Sequence, residues 1–217
     1  MSYFYTHARD PISSFTHCIG MCCAAFGCLL LVLRAKALQI ELGILASAVV
    51  FAISLIALYA ASTFYHFYKG CDRILLRLRK LDHAIIYVLI AGTYTPIAVH
   101  CMEYEAAIHF LRVIWIVAAA GIVVKLCWIM APRWLYTSLY LLMGWAIIFD
   151  WPSFAAMESG CMYLVAAGGL CYSAGAVIYI LKRPVITKNF GFHEIFHLFI
   201  LVGSLLHYLA VFFYVLQ

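Results

Sequence analysis

Apolar runs of membrane-crossing length recur along almost the whole of this chain, and they leave it few ways to fold. A helix needs about 20 residues to span the hydrocarbon core of a bilayer. Seven runs approach or exceed that length: Phe15–Leu33, Ile44–Phe67, Ala84–Val99, Ile108–Met130, Leu135–Phe149, Cys161–Leu181 and Ile195–Leu216. Backbone amides in lipid must be satisfied within their own segment, so each run is expected to be a helix. The expected fold is an all-α membrane protein, a seven-transmembrane helix bundle that takes in residues 1–217 as one domain. A chain that is 67% hydrophobic and 11% charged, with a mean hydropathy of +1.03, has no use for that composition in water. The connections are too short to hold a second, soluble domain. No small-residue cleavage site follows the first run, which therefore reads as a retained helix and not a signal peptide.

Alternating spans sort the basic residues into two sets. One side holds Arg9, Lys69, Arg73, Arg77, Arg79, Lys80, Lys125, Arg133, Lys182, Arg183 and Lys188; the other holds only Arg34, Lys36 and Arg112. Lys and Arg concentrate on the cytoplasmic side of membrane proteins. The N-terminus is thus expected in the cytoplasm and the C-terminus outside. The net charge of +5 follows from this topology and calls for no nucleic-acid partner. The nine cysteines include Cys18, Cys22, Cys23 and Cys28 within the first apolar run. Thiols in such surroundings behave as small apolar side chains, so neither a disulfide framework nor a zinc ribbon is expected.

Within this frame the ionisable residues are informative, because they are costly inside a membrane and by default mark function. His193 and His197 open the last run, with Glu194 between them in a His-Glu-x-x-His string. On a helix the two histidines share one face about 6 Å apart, a spacing at which both reach one metal ion. The second helix runs inward and ends near Lys69, which puts His66 about one turn from the cytoplasmic surface, with Ser62 on the same face. The third run starts just after Lys80, so Asp82 enters at the same depth. Three helices then bring His66, Asp82, His193 and His197 to the cytoplasmic leaflet together. Three imidazoles with one position open is the arrangement of a catalytic zinc site, where bound water is acidified to a pKa near 7. Asp82 is the candidate general base and Ser62 a candidate partner for the carboxylate, the water or a substrate carbonyl. Ser62 bonding back to its own helix is the equally weighted alternative. His17, His83, His100, His109 and His207 read as interhelical hydrogen-bonding or loop residues. His207 lies about 15 Å deeper than His197 and is excluded from the cluster.

These residues carry a resemblance. Ser62-Thr-Phe-Tyr-His66, Leu81-Asp82-His83 and His193-Glu-Ile-Phe-His197 resemble the hemolysin III family, as do Asp10-Pro11-Ile12-Ser13 and Ala91-Gly-Thr-Tyr-Thr-Pro96. That family is the bacterial branch of the progestin and adipoQ receptor superfamily, grouped more broadly with alkaline ceramidases. The resemblance implies seven helices with the N-terminus inside, in the bacterial inner membrane. It implies zinc held at the positions of His66, His193 and His197, with Asp82 and Ser62 completing the site. For some relatives it implies hydrolysis of lipid amides, for others receptor roles, and for bacterial members hemolysis or membrane homeostasis. This chain lacks the large N-terminal domain of the long receptor members.

The expected function is a zinc-dependent hydrolase of a lipid amide or ester that enters from the bilayer, linked to membrane lipid homeostasis. Asp82 is favoured over Glu194 for the proton because it approaches from another helix. The first rival is a receptor-like or homeostatic protein in which zinc staples three helices. An intramembrane metalloprotease is weaker, since its Asp-bearing motif should lie downstream of the histidine pair. A pore-forming toxin is weaker still, for the loops are short and no secretion signal is visible.

Overall fold

The computed structural model describes residues 1–187 and 190–217. A short helix α1 (Ser2–His7) leads into α2 (Pro11–Ala37), α3 (Leu42–Phe67), α4 (Asp72–Cys101), α5 (Tyr104–Cys127), α6 (Arg133–Gly144) and α7 (Ser159–Leu181). A small antiparallel hairpin, β1 (Val185–Thr187) and β2 (Phe190–Gly191), then delivers the chain to α8 (Phe192–Ala210), which ends in a π-helical turn over Val211–Val215. Pro11 sits at the first position of α2, where its missing N–H costs nothing and its fixed φ suits the helix.

Among the described residues, six helices are long and apolar enough to cross a membrane: α2, α3, α4, α5, α7 and α8 with its π turn. They coincide with six of the seven expected spans. The remaining run, Leu135–Phe149, is divided. Its helical part is the 12 residues of α6, only about 18 Å long. Beyond Gly144 the chain continues as two 3₁₀ turns, Ala146–Ile148 and Trp151–Phe154, the second opened by Asp150 and carrying Pro152. The third expected span also differs, because α4 begins at Asp72 and not near Ala84. The basic stretch Arg73–Lys80 consists of good helix formers, and charge there is no obstacle outside the hydrocarbon. Lys125, one of the basic residues assigned to the cytoplasmic side, lies buried in the last turn of α5.

The helices pack chiefly in chain order, α2 on α3, α3 on α4, α4 on α5 and α7 on α8, and α8 closes back onto α2. Glycines set the closest approaches. A Cβ added at Gly168 of α7 would lie 2.5 Å from the His207 ring and 3.1 Å from the Gly203 carbonyl oxygen. Small residues at such crossings let helices meet in membranes, where lipid tails offer no hydrophobic drive to association. The core between the helices is built from Leu31, Phe51, Ala91, Val211 and Leu216, all fully buried. First and last long helices are therefore neighbours, and that adjacency builds the site.

Candidate metal centre

The last carbonyls of a helix have no intrahelical partner. At the end of α3 the N-terminal segment supplies them: Asp10 N–H donates to the His66 carbonyl at 2.9 Å and Arg9 N–H to that of Phe67 at 3.3 Å. One turn earlier, the Ser14 hydroxyl donates to the Thr63 carbonyl at 3.1 Å. This backbone clasp places the Asp10 carboxylate beside the His66 ring, with Nδ1 to Oδ2 at 2.9 Å. Arg9 grips the same oxygen through Nε at 2.9 Å and Nη2 at 2.7 Å. Burial opposes ionisation of Asp10, but the hydrogen bonds and charges of His66 and Arg9 outweigh it and hold the carboxyl down at about 2. Asp10 is thus a carboxylate at neutral pH and fixes the proton of His66 on Nδ1, so that Nε2 presents a lone pair to the bundle interior.

Facing that nitrogen are the histidines of α8. His66 Nε2 and His193 Nε2 are 3.2 Å apart. One nitrogen from each of His66, His193 and His197 falls within 4.8 Å of the others, a group able to hold a metal ion. Two nitrogens bound to one tetrahedral zinc at 2.0–2.1 Å would be about 3.3 Å apart, close to the observed pair. His66 and His197 are buried, and among the described residues His197 Nδ1 has no hydrogen-bond partner. A buried imidazole cluster with one tautomer set by a carboxylate, two ring nitrogens closely opposed and a third ring nitrogen orphaned among the described residues fits a cation. The three expected ligands come together as the depth argument required.

Glu194 does not join them. Its Oε2 accepts the Gly191 N–H at 2.8 Å, capping the start of α8, and its Oε1 accepts the Ser13 hydroxyl at 2.8 Å. The acid of the His-Glu-x-x-His string is a fastener between α8 and α2. Asp82 and Ser62 both line the cavity onto which His193 and His197 open. The Asp82 carboxylate lies within reach of the Ser62 hydroxyl and close to His66. The cavity has a volume of about 250 Å³ and runs between α4, α6, α7 and α8. Its walls are almost wholly apolar, with Ile86, Ile90 and Ile200 beyond the histidines and Trp145 and Trp151 at the far end. From His193 to His207, which also lines it, α8 advances about 21 Å.

Two neighbours of the cluster escape sequence reasoning. Asp10 stands directly before the first long helix, hence at the same end of the bundle as His66. Applying the depth argument to the N-terminal segment would have found it. His17, expected as an interhelical hydrogen-bonding or loop residue, has neither ring nitrogen hydrogen-bonded among the described residues and stacks on His197, with centroids 3.7 Å apart and planes at 11°. It stands seven residues inside Asp10, about 10 Å deeper and level with His197. His207 does behave as expected, with Nε2 on the Val165 carbonyl at 3.0 Å.

Helices of membrane length around a buried three-histidine cluster define a multi-pass integral membrane protein with a candidate metal centre. Comparison with known proteins gives it a family. Residues 5–208 match the family described as Haemolysin-III related. The chain is 32% identical over 213 residues to the hemolysin-3 homolog of Bacillus subtilis (strain 168), covering 97% of this chain and 96% of that one. It is 31% identical over 209 residues to hemolysin-3 of Bacillus cereus, covering 96% and 92%. The chain belongs to the haemolysin III family, and with its bacterial relatives it is a protein of the plasma membrane.

Proposed function

We propose that this protein is a zinc-dependent integral membrane hydrolase that cleaves an amide or ester bond of a membrane lipid. The observation that carries the reading is the junction of the histidine cluster with the cavity. Among the described residues three protein nitrogens converge, and Asp82 is not a fourth member of that group. It stands instead on the cavity wall, beside Ser62. A zinc that staples helices would have its ligands all drawn from protein, whereas a catalytic one keeps a position open.

Zinc held by His66, His193 and His197 supplies Lewis-acid polarisation of a carbonyl and activation of water for attack. The chain's own residues do the rest. The cavity takes the acyl chain and brings its carbonyl to the cluster from within the bundle, where bulk water is excluded. Asp82 accepts the proton of the attacking water and returns it to the departing nitrogen or oxygen as the acyl bond breaks. Ser62 holds the carboxylate in line or donates to the carbonyl oxygen. Asp10 keeps His66 in its ligating tautomer. We further propose that α6 and its 3₁₀ turns complete a seventh crossing, with the N-terminus cytoplasmic. That orientation puts the cluster in the cytoplasmic leaflet. Lysis, the property named in both relatives, follows on this reading from altered membrane lipid and not from a pore.

The test is elemental analysis of purified wild type and His66→Ala, joined to turnover of a panel of N-acyl and O-acyl lipids in detergent. Stoichiometric zinc in the wild type, its loss in the variant, and cleavage of at least one lipid are expected. Zinc present with no lipid cleaved would overturn the enzyme reading.

A further inference from the structure

A second polar group lies at the level of the histidine cluster, on the opposite wall of the cavity, and the chemistry above makes no use of it. His83 follows Asp82 on α4 and so points about 100° away from it. Asp82 turns toward Ser62 and His66, while His83 turns toward α5 and α6. There His83 meets Tyr136, ring centroids 5.4 Å apart. Lys125 of α5 lies over the same tyrosine ring, its Nζ 3.5 Å from the centroid. Thr137 is the next residue on α6. His83, Tyr136 and Thr137 all line the cavity.

These groups are buried and polar. His83 is 9% exposed, Thr137 4% and Lys125 2%. Among the described residues, His83 Nδ1, Thr137 Oγ1 and Lys125 Nζ have no hydrogen-bond partner. A buried hydrogen-bonding group left unmatched is destabilising by about 1–3 kcal/mol, and an unpaired ammonium costs more. The cation–π contact answers part of the lysine's need and none of the others'. All three groups can donate, and Lys125 and Arg79 both act electrostatically on His83. Such a wall is complementary to an anion.

Its position relative to the histidine cluster says which anion. If the acyl chain fills the apolar length of the cavity and its carbonyl sits at the histidines, the leaving group must lie at the cytoplasmic end, away from the chain. That is the level of His83, Lys125 and Thr137. In an acyl phospholipid the phosphate stands one glycerol unit from the scissile ester.

We propose that His83, Thr137 and Lys125 form a binding site for the headgroup phosphate of the substrate, so that the enzyme acts on acyl phospholipids in preference to neutral acyl lipids. The inference rests on the hydrolase reading and names its substrate class. In the reaction, water adds its oxygen to the acyl carbon and the ester C–O bond breaks. The proton passes through Asp82 to the departing glycerol oxygen, and the products are a fatty acid and a glycerol phosphate. Thr137 and His83 donate to the phosphate directly, and Lys125 supplies positive charge from behind Tyr136.

The experiment compares turnover of 1-oleoyl-lysophosphatidic acid with that of 1-monooleoylglycerol by the full-length, zinc-loaded protein. A kcat/KM ratio of roughly tenfold to a hundredfold in favour of the phosphate is expected from charge-assisted hydrogen bonds. Lys125→Met and Thr137→Val should each shrink that ratio while leaving monooleoylglycerol turnover intact, which shows that the variants are folded. Equal turnover of the two lipids by the wild type overturns the inference but leaves the hydrolase reading standing. If they are turned over equally while inorganic phosphate still binds and Lys125→Met abolishes that binding, the wall serves free phosphate and the lipid assignment fails. If neither lipid is cleaved, the hydrolase reading is what fails. Equilibrium binding then decides the site: lysophosphatidic acid must bind more tightly than monooleoylglycerol to the wild type and lose that advantage in Lys125→Met.

Discussion

The imidazole of His17 lies flat on that of His197, centroids 3.7 Å apart, so a residue of the first long helix buttresses a candidate ligand on the last. The stack limits the tilt of the His197 ring and shields one of its faces. Replacing His17 by alanine removes this support, and zinc affinity should fall about tenfold, as for other residues that orient metal ligands. His17→Phe keeps a ring at that place and should retain most of the affinity. Competition with a chromophoric chelator reads both. Unchanged affinity in His17→Ala would show that the stack is incidental.

Asp10 acts on His66 by a different route, through the Nδ1 proton. Asp10→Asn keeps the size of the side chain but removes the charge that holds the proton in place. The expected loss of zinc affinity is about tenfold to a hundredfold. Asp10→Ala should lose as much and also loosen the N-terminal segment, seen as faster proteolysis ahead of α2. If Asp10→Asn binds zinc like the wild type, the carboxylate serves the clasp and not the ligand.

Glu194 and Asp82 should separate cleanly. Glu194 caps α8 and ties it to Ser13. Glu194→Gln should keep zinc and most turnover, and Glu194→Ala should lose about 1 kcal/mol of stability with the cap. Asp82→Asn should keep zinc and lose turnover by two orders of magnitude or more, about the contribution of a general base. Metal content and turnover measured on the same preparations distinguish the two. The reverse pattern would return the string His193 to His197 to the role it has in soluble zincins.

Gly168 tests the packing behind the cavity. Its missing side chain lets the His207 ring and the Gly203 carbonyl close on α7. Gly168→Ala forces the helices apart and should cost about 1–3 kcal/mol, the usual penalty for overpacking. Thermal unfolding in detergent measures it, with Gly169→Ala as control, since a Cβ there meets nothing nearer than 3.6 Å.

The apolar runs made six long helices legible because length and continuity of hydrophobicity decide the matter in a membrane. The fifth run was not legible as two pieces. Its composition stays apolar past Gly144, and only Asp150 and Pro152 hint that helix gives way to 3₁₀ turns. The ligand trio was readable because the end of α3 near Lys69 and the start of α8 at Phe192 give His66, His193 and His197 a common depth without any need for contacts. Asp10 and His17 share that depth, but they belong to the first long helix, whose polar N-terminal flank carries no lysine to mark the boundary. The service of Glu194 as a tie to Ser13 depends on which helix lies beside α8, and pattern within a single segment carries no such information.

Ser13 and Glu194, bonded across the site, are 181 residues apart in the chain. During synthesis, then, His66 and Asp82 enter the membrane long before two of the three candidate ligands exist. A half-inserted chain has no trio of histidines and no closed cavity. Only when α8 docks against α2 does the cluster form, and the same docking event seals the bundle. Competence to take up metal thus reports that the polypeptide has been inserted to its last helix, and no reactive centre is loose in the bilayer while the protein is still being made.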